Sequence, residues 1–140
     1  MVDIYVEYEG DLHCHALHGP SSAELVTDAP LDNQGRGAAF SPTDLVATGL
    51  GTCMATVMGI LARKRGLALE GSRVHVKKKM TSSPPRRIAE LAVRVTFPEP
   101  VTRSVAAERA ALEQEALSCP VRLSLLPAIA VPVEFDWQTE

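Results

Sequence analysis

Residues 45–62 read LVATGLGTCMATVMGILA, eighteen positions without a charge. The run reaches the lower edge of the length that a membrane-spanning helix needs. Three glycines and three threonines dilute it, and strand-like segments flank it on both sides. It is therefore read as a helix buried all round, at the centre of a core or of a dimer. Ser41 can cap its N-terminus, Pro42 suits the first helical position, and Asp44 stands three after the cap, as in a capping box. At the other end Arg63, Lys64 and Arg65 suit the helix dipole, and Gly66 ends the helix. Gly49, Gly51 and Gly59 each weaken the helix by about 1 kcal/mol relative to alanine. Close packing against another element, a second copy of the same helix, is the expected reason.

Around this helix the chain reads as strands. Residues 3–9 alternate, with Ile4, Val6 and Tyr8 on one face and Asp3, Tyr5, Glu7 and Glu9 on the other. Gly10-Asp11 suggests a hairpin turn into a strand over 12–18, and Gly19-Pro20 a turn into a third strand over 22–27. A three-stranded meander is expected. Residues 29–40 form a loop long enough to carry function. Beyond the helix, 74–80 and 88–97 read as strands joined by Ser82-Ser83-Pro84-Pro85. Ser104 is expected to cap a helix running to about 118. A short helix over 120–126 follows, and a strand over 129–137 closes the pattern. The order βββ-α-ββ-αα-β is α+β, with no sign of βαβ units. One domain over 1–140 is expected, without internal repeat or linker.

At 140 residues the chain can bury an ordinary core without disulfide staples. A hydrophobic fraction of 46% with 22% charged residues is that of a globular protein. A net charge of −3 argues against a nucleic-acid footprint. The opening MVDIYVEYEG has acids where a signal peptide needs positive charge and an apolar stretch, so the cytoplasm is the expected compartment. Three cysteines in such a chain disfavour a disulfide scaffold and favour free or catalytic thiols. Cys53 lies inside the apolar run. Cys119 opens the phrase Cys119-Pro120-Val121, where one helical pattern stops and another starts. A thiolate at a helix start is favoured by unpaired backbone N–H groups. A pair of redox thiols far apart in sequence is one reading; small buried hydrophobes are the other.

The stretch from Phe40 to Cys53, FSPTDLVATGLGTC, resembles the first signature of the OsmC/Ohr family. Cys119-Pro120-Val121, followed by a strand ending Phe135-Asp136-Trp137, is similar to the second. The order of elements matches across nearly the whole chain. The resemblance implies an intertwined homodimer, with two long central helices at the core and sheets wrapping them. It also implies a thiol-dependent peroxidase that reduces hydroperoxides, organic ones especially, in defence against oxidative stress. Cys53 would be the peroxidatic thiol and Cys119 the resolving one. An external thiol would regenerate the pair, with no cofactor, metal, nucleic acid or membrane involved. A substrate pocket of Leu50, Met54 and Val57, with Thr43 and Asp44, would suit a fatty or aromatic hydroperoxide. Apolar walls also raise a thiol pKa by desolvation, so a cation must compensate.

That cation is where the sequence departs from the family pattern. Family members active as organic hydroperoxide reductases carry an arginine on an early strand, held by a glutamate ten positions before the first cysteine. Here Thr43 stands at that position with Asp44 beside it, and no arginine occurs from Met1 to Gln34. Arg36, in Asn33-Gln34-Gly35-Arg36-Gly37, is the nearest candidate; a solvated loop arginine is the alternative. On the second strand, His13 and His15 share one face and Cys14 takes the other. Surface histidines are the default there, with no clear third ligand on their face. Lys77, Lys78, Lys79, Arg86 and Arg87 read as a solvated, charge-protected edge. Two other functions stay open: a non-catalytic protein of this fold binding an apolar small molecule at the dimer interface, and a His/Cys metal-binding protein.

Overall fold

Alternation along the strands decides two separate three-stranded sheets. The computed structural model describes residues 1–139, which fall into two compact units, Met1–Val46 and the chain from Ala47 onward. In the first unit β1 (Ile4–Gly10), β2 (His13–His18) and β3 (Glu24–Asp28) form the expected antiparallel meander. Asp11 and Leu12 both have positive φ, the conformation of a tight hairpin turn. The third strand begins at Glu24 rather than at 22. Ser22 is held in the preceding turn, with φ of 57° and its N–H donating to the His18 carbonyl at 2.8 Å. Register pairs Glu7 with His15 and His13 with Asp28, whereas Cys14 faces Tyr8 and Thr27 on the other side.

After β3, residues 29–40 fold into a loop containing one 3-10 turn, Leu31–Asn33. The loop closes on itself: Gly35 and Gly37 donate N–H groups to the Pro30 and Ala29 carbonyls at 3.0 and 3.2 Å. A Cβ at Gly35 would lie 1.7 Å from the Ala29 carbonyl oxygen, so glycine is obligatory there.

The long helix α1 spans Pro42–Lys64. Its capping box forms as the sequence predicts. The Asp44 N–H donates to Ser41 Oγ at 3.1 Å, and the Ser41 N–H donates to Asp44 Oδ2 at 2.8 Å. The far end is a Schellman turn: Gly66 has φ of 67°, its N–H bonds to the Arg63 carbonyl, and the Leu67 N–H bonds to the Ala62 carbonyl. The helix is not buried all round. Ala47, Leu50, Gly51, Met54, Met58 and Ala62 form a buried stripe, while Val46, Thr48, Thr52, Ala55, Thr56 and Ile60 are exposed. Within one chain, a helix lying on a single sheet has only one face to bury. At 23 residues it has the length of a membrane span, but its buried stripe joins a protein core.

That core belongs to the second unit. β4 (Arg73–Met80) pairs antiparallel with β5 (Ile88–Phe97), and β6 (Val133–Trp137) pairs parallel with β5 on its other edge. Leu91, Val93, Val95 and Phe97 point inward and are buried with the α1 stripe. Gly51 lets this sheet approach: a Cβ there would lie 3.1 Å from Val76 Cγ2.

The parallel β5–β6 pair corrects the expectation that the chain lacks a β-helix-β crossover. Parallel strands need a connection of a dozen or more residues. Here it contains α2 (Glu99–Ser104), a 3-10 turn at Ala106–Glu108, α3 (Arg109–Leu117) and α4 (Pro120–Leu123). Ser104 closes α2 instead of capping a long helix, its hydroxyl donating to the Val101 carbonyl. Pro98 and Pro100 favour an earlier start, and Val105 breaks the helix where its side chain enters the core. α4 ends at Leu123, with Pro127 close behind. The last strand starts only at Val133, since Pro132 has no N–H to give the ladder. Residue 130 makes only an isolated bridge to Glu90.

Candidate functional site

Both redox candidates lie in the second unit, and the fold brings them together. α1 presents Cys53 at a half-buried position between exposed Thr52 and enclosed Met54. Cys119 is fully buried at the joint of α3 and α4. It is the N-cap of α4, in an extended conformation that Pro120 continues into the first helical position. The Arg122 backbone N–H donates to Cys119 Sγ at 3.4 Å. The sulfur thus takes the place of a capping hydroxyl.

The Cys53 and Cys119 thiols are hydrogen-bonding neighbours, and both are free. Burial pushes the Cys119 thiol up from its ordinary value. The Arg122 N–H opposes this, and the adjoining Cys53 raises it further. Cys119 therefore rests as a protonated thiol at neutral pH. Cys53 is the more accessible of the two.

The remaining candidates are more scattered. Leu50 and Met54 have no exposed surface and are core residues beneath Cys53, while Val57 is half-buried. Thr43 and Asp44 are engaged at the start of α1, Thr43 Oγ1 lying 3.2 Å from Ser41 Oγ. Arg36 is exposed on the 29–40 loop, and its charge is felt by Asp28 in the first unit.

His13 has a defined partner: its Nδ1 lies 2.5 Å from Asp28 Oδ1, on a side chain that is only 2% exposed. His15 Nε2 lies 3.6 Å from Glu24 Oε2. Among the described residues, no three His, Cys, Asp or Glu side chains stand together as metal ligands.

Two residues escaped the sequence reading. Asp28 carried no motif; its one signal was its register opposite His13, which becomes visible only when the meander is drawn strand against strand. Arg122 lies one turn beyond Cys119. Its guanidinium donates to the Leu117 carbonyl at 3.0 Å, while its Nε is buried without a partner among the described residues.

A family model described as OsmC-like protein matches residues 35–134, which contain both cysteines. No curated protein sequence gives a significant match. Among solved structures, one from Psychrobacter arcticus, assigned to osmotic stress induction and detoxification response, has 41% identity and a TM-score of 0.87, covering 96% of each chain. An organic hydroperoxide resistance protein of Legionella pneumophila shares the fold at 16% identity and a TM-score of 0.73, covering 97% of this chain and 96% of the other. Another organic hydroperoxide resistance protein, from Elizabethkingia anophelis, does so at 15% identity and a TM-score of 0.74, covering 97% and 95%.

Proposed function

Because the chain belongs to the OsmC-like protein family, we propose that it is a thiol-dependent peroxidase reducing hydroperoxides, organic ones foremost, through Cys53 and Cys119. The observation that carries this reading is the meeting of the two free thiols, 66 positions apart in sequence. Two distant relatives in structure bear the name organic hydroperoxide resistance protein, which agrees with it.

The chemistry runs in three balanced steps. The Cys53 thiolate attacks one peroxide oxygen and the O–O bond breaks. The alkoxide takes a proton and leaves as an alcohol, and Cys53 becomes a sulfenic acid. The Cys119 thiol then attacks that sulfur, losing its proton to the departing hydroxide; a disulfide and one water result. An external dithiol reduces the disulfide by exchange, supplying the two electrons. No cofactor is needed. The accessible Cys53 suits the first step, and the buried, protonated Cys119 suits the second. Arg36 is the cation proposed to favour the Cys53 thiolate, and half-buried Val57, one turn along α1, is the apolar residue proposed to meet the substrate, Leu50 and Met54 being enclosed in the core.

The cytoplasm is the proposed compartment and a homodimer the proposed assembly. Ile4, Val6 and Tyr8 are 65%, 66% and 64% exposed, an apolar row for which a second copy is the natural cover. The uncharged outer face of α1 supports the same reading, since nothing lies within 4 Å of a Cβ built at Gly49 or Gly59.

The test is consumption of cumene hydroperoxide with a dithiol reductant. Turnover is expected in the wild type, and its persistence in Cys53→Ser would overturn the assignment. A second reading is binding of an apolar small molecule; the open hollow of about 710 Å³ along α1 offers it Ile60 and Leu67, beside Thr56 and the charged Arg63 and Glu70. Absence of turnover, with ligand binding that survives conversion of both cysteines to serine, would select it.

A further inference from the structure

Cys119 is held at each of its polar groups. Its N–H donates to the Ala116 carbonyl at 3.2 Å, its carbonyl accepts the Leu123 N–H at 3.1 Å, and its sulfur accepts the Arg122 N–H at 3.4 Å. Arg122 reaches the cysteine from both sides. Its backbone meets the sulfur where α4 begins, and its guanidinium turns back to donate to the Leu117 carbonyl, where α3 ends, at 3.0 Å. The chain from Leu117 to Arg122 is thereby closed into a ring with Cys119 inside it. Pro120 stiffens that ring, and Ser124 Oγ ties its far side by donating to the Pro120 carbonyl at 2.7 Å.

This clamp carries a cost. Arg122 Nε is buried and has no hydrogen-bond partner among the described residues. A buried donor left unpaired disfavours the folded state, so a side chain chosen for stability alone would lack it. Where a residue breaks a folding rule in this way, a functional demand is the expected reason. The demand nearest at hand is that of Cys119, which is fully buried and must stay within reach of the Cys53 thiol from a joint between two short helices.

We propose that Arg122 is the positioning residue of the thiol pair: by clamping α3 to α4 it holds the Cys119 sulfur beside Cys53, so that the disulfide closes quickly once Cys53 is oxidised. The side chain acts through the backbone, by its bond to Leu117, rather than on a reacting atom. This deepens the reading of Cys53 as the peroxidatic thiol and Cys119 as the resolving one, and rests on it. Two groups fixed within reach of each other react as though each were highly concentrated around the other.

The test compares the full chain with Arg122→Met, of similar reach but without donors, and with Arg122→Lys, which keeps one donor for the Leu117 carbonyl. One readout is the Cys53–Cys119 disulfide in buffers of reduced and oxidised glutathione, followed by peptide mass mapping. It needs no hydroperoxide: each disulfide formed consumes one glutathione disulfide and releases two glutathione thiols. Arg122→Met is expected to favour the disulfide about tenfold less than wild type, and Arg122→Lys to stay within about threefold of it. The other readout is capture of the Cys53 sulfenic acid by dimedone after cumene hydroperoxide is added. In Arg122→Met the acid is expected to form at the wild-type rate and to survive several-fold longer. A residue of merely structural weight would slow both steps alike and would not be rescued by lysine.

An unchanged glutathione equilibrium in Arg122→Met would overturn the proposal, as would equal slowing of sulfenic acid formation and of its resolution. Should Arg122→Met fail to fold, Arg122→Gln carries the same expectations, since it too removes the charged fork while leaving a polar end. If the wild type forms no sulfenic acid with cumene hydroperoxide, the peroxidase reading fails, and the glutathione equilibrium alone still decides whether Arg122 positions Cys119.

Discussion

At the scale of single residues, Cys119 shows how burial and capping divide a thiol pair. Its sulfur accepts the Arg122 and Val121 N–H groups at a helix start, which favours the thiolate, yet burial outweighs that and raises its pKa. Iodoacetamide at pH 7.5 is therefore expected to alkylate Cys53 well before Cys119; equal rates would contradict this order. The cap position of Cys119 was legible from Cys119-Pro120. Its full burial and its contact with Cys53 were not, because neither depends on neighbours in sequence.

Asp28 makes the same point with acid. Its carboxyl titrates below the ordinary value, so its contribution to stability is complete above the usual carboxylate range and is lost as the pH falls through the folded value. Asp28→Asn is expected to be less stable than wild type near neutral pH, with the two urea midpoints converging as the pH falls below the ordinary carboxylate range. A constant gap across that range would show that the charge of Asp28 is irrelevant.

At the scale of elements, α1 is the best-specified part of the chain. Its capping box and its Schellman turn both involve groups within five residues, so pattern alone foretold them. Ser41→Ala is expected to lower stability by about 1 kcal/mol in urea unfolding, the usual worth of such a cap. The three glycines separate into different roles. Gly51 accommodates β4 of its own chain, whereas Gly49 and Gly59 have open space in one chain. In an isolated helix Gly59→Ala would stabilise by about 1 kcal/mol. If a partner helix packs on that face, the same change instead weakens assembly. Dimer dissociation measured by light scattering in Gly59→Ala and Gly59→Leu decides the sign, with loss of dimer expected.

The crossover between β5 and β6 was the least legible element. Its helices were read in roughly the right place, but the break at Val105 comes from a side chain seeking the core. No local signal announces that. The parallel return of β6 likewise depends on Trp137, which stacks on Phe97 at 3.7 Å and donates its indole N–H to Glu113 at 2.7 Å.

At the scale of the whole molecule, the unbalanced surface is the main physical fact. Isolated apolar residues on a surface are ordinary, but a continuous exposed row on β1 together with an uncharged helix face is not. Light scattering of the purified protein is expected to give about twice the 15.0 kDa chain mass. Lysine at both Ile4 and Val6 is expected to reduce it to the single-chain value; an unchanged dimer would move the interface elsewhere.

The sequence by itself determined the family and, outside the β5–β6 crossover, the elements. Helix caps, strand alternation and turn glycines act over a few residues, and the two cysteine phrases stand in linear motifs. Tertiary structure alone decided which distant groups meet: Cys53 with Cys119, His13 with Asp28, and β6 beside β5 in parallel. The physical reason is that such contacts follow from strand register in the first unit and, in the second, from burying the α1 stripe and closing a long crossover. Those are properties of the packed chain, which no local pattern encodes.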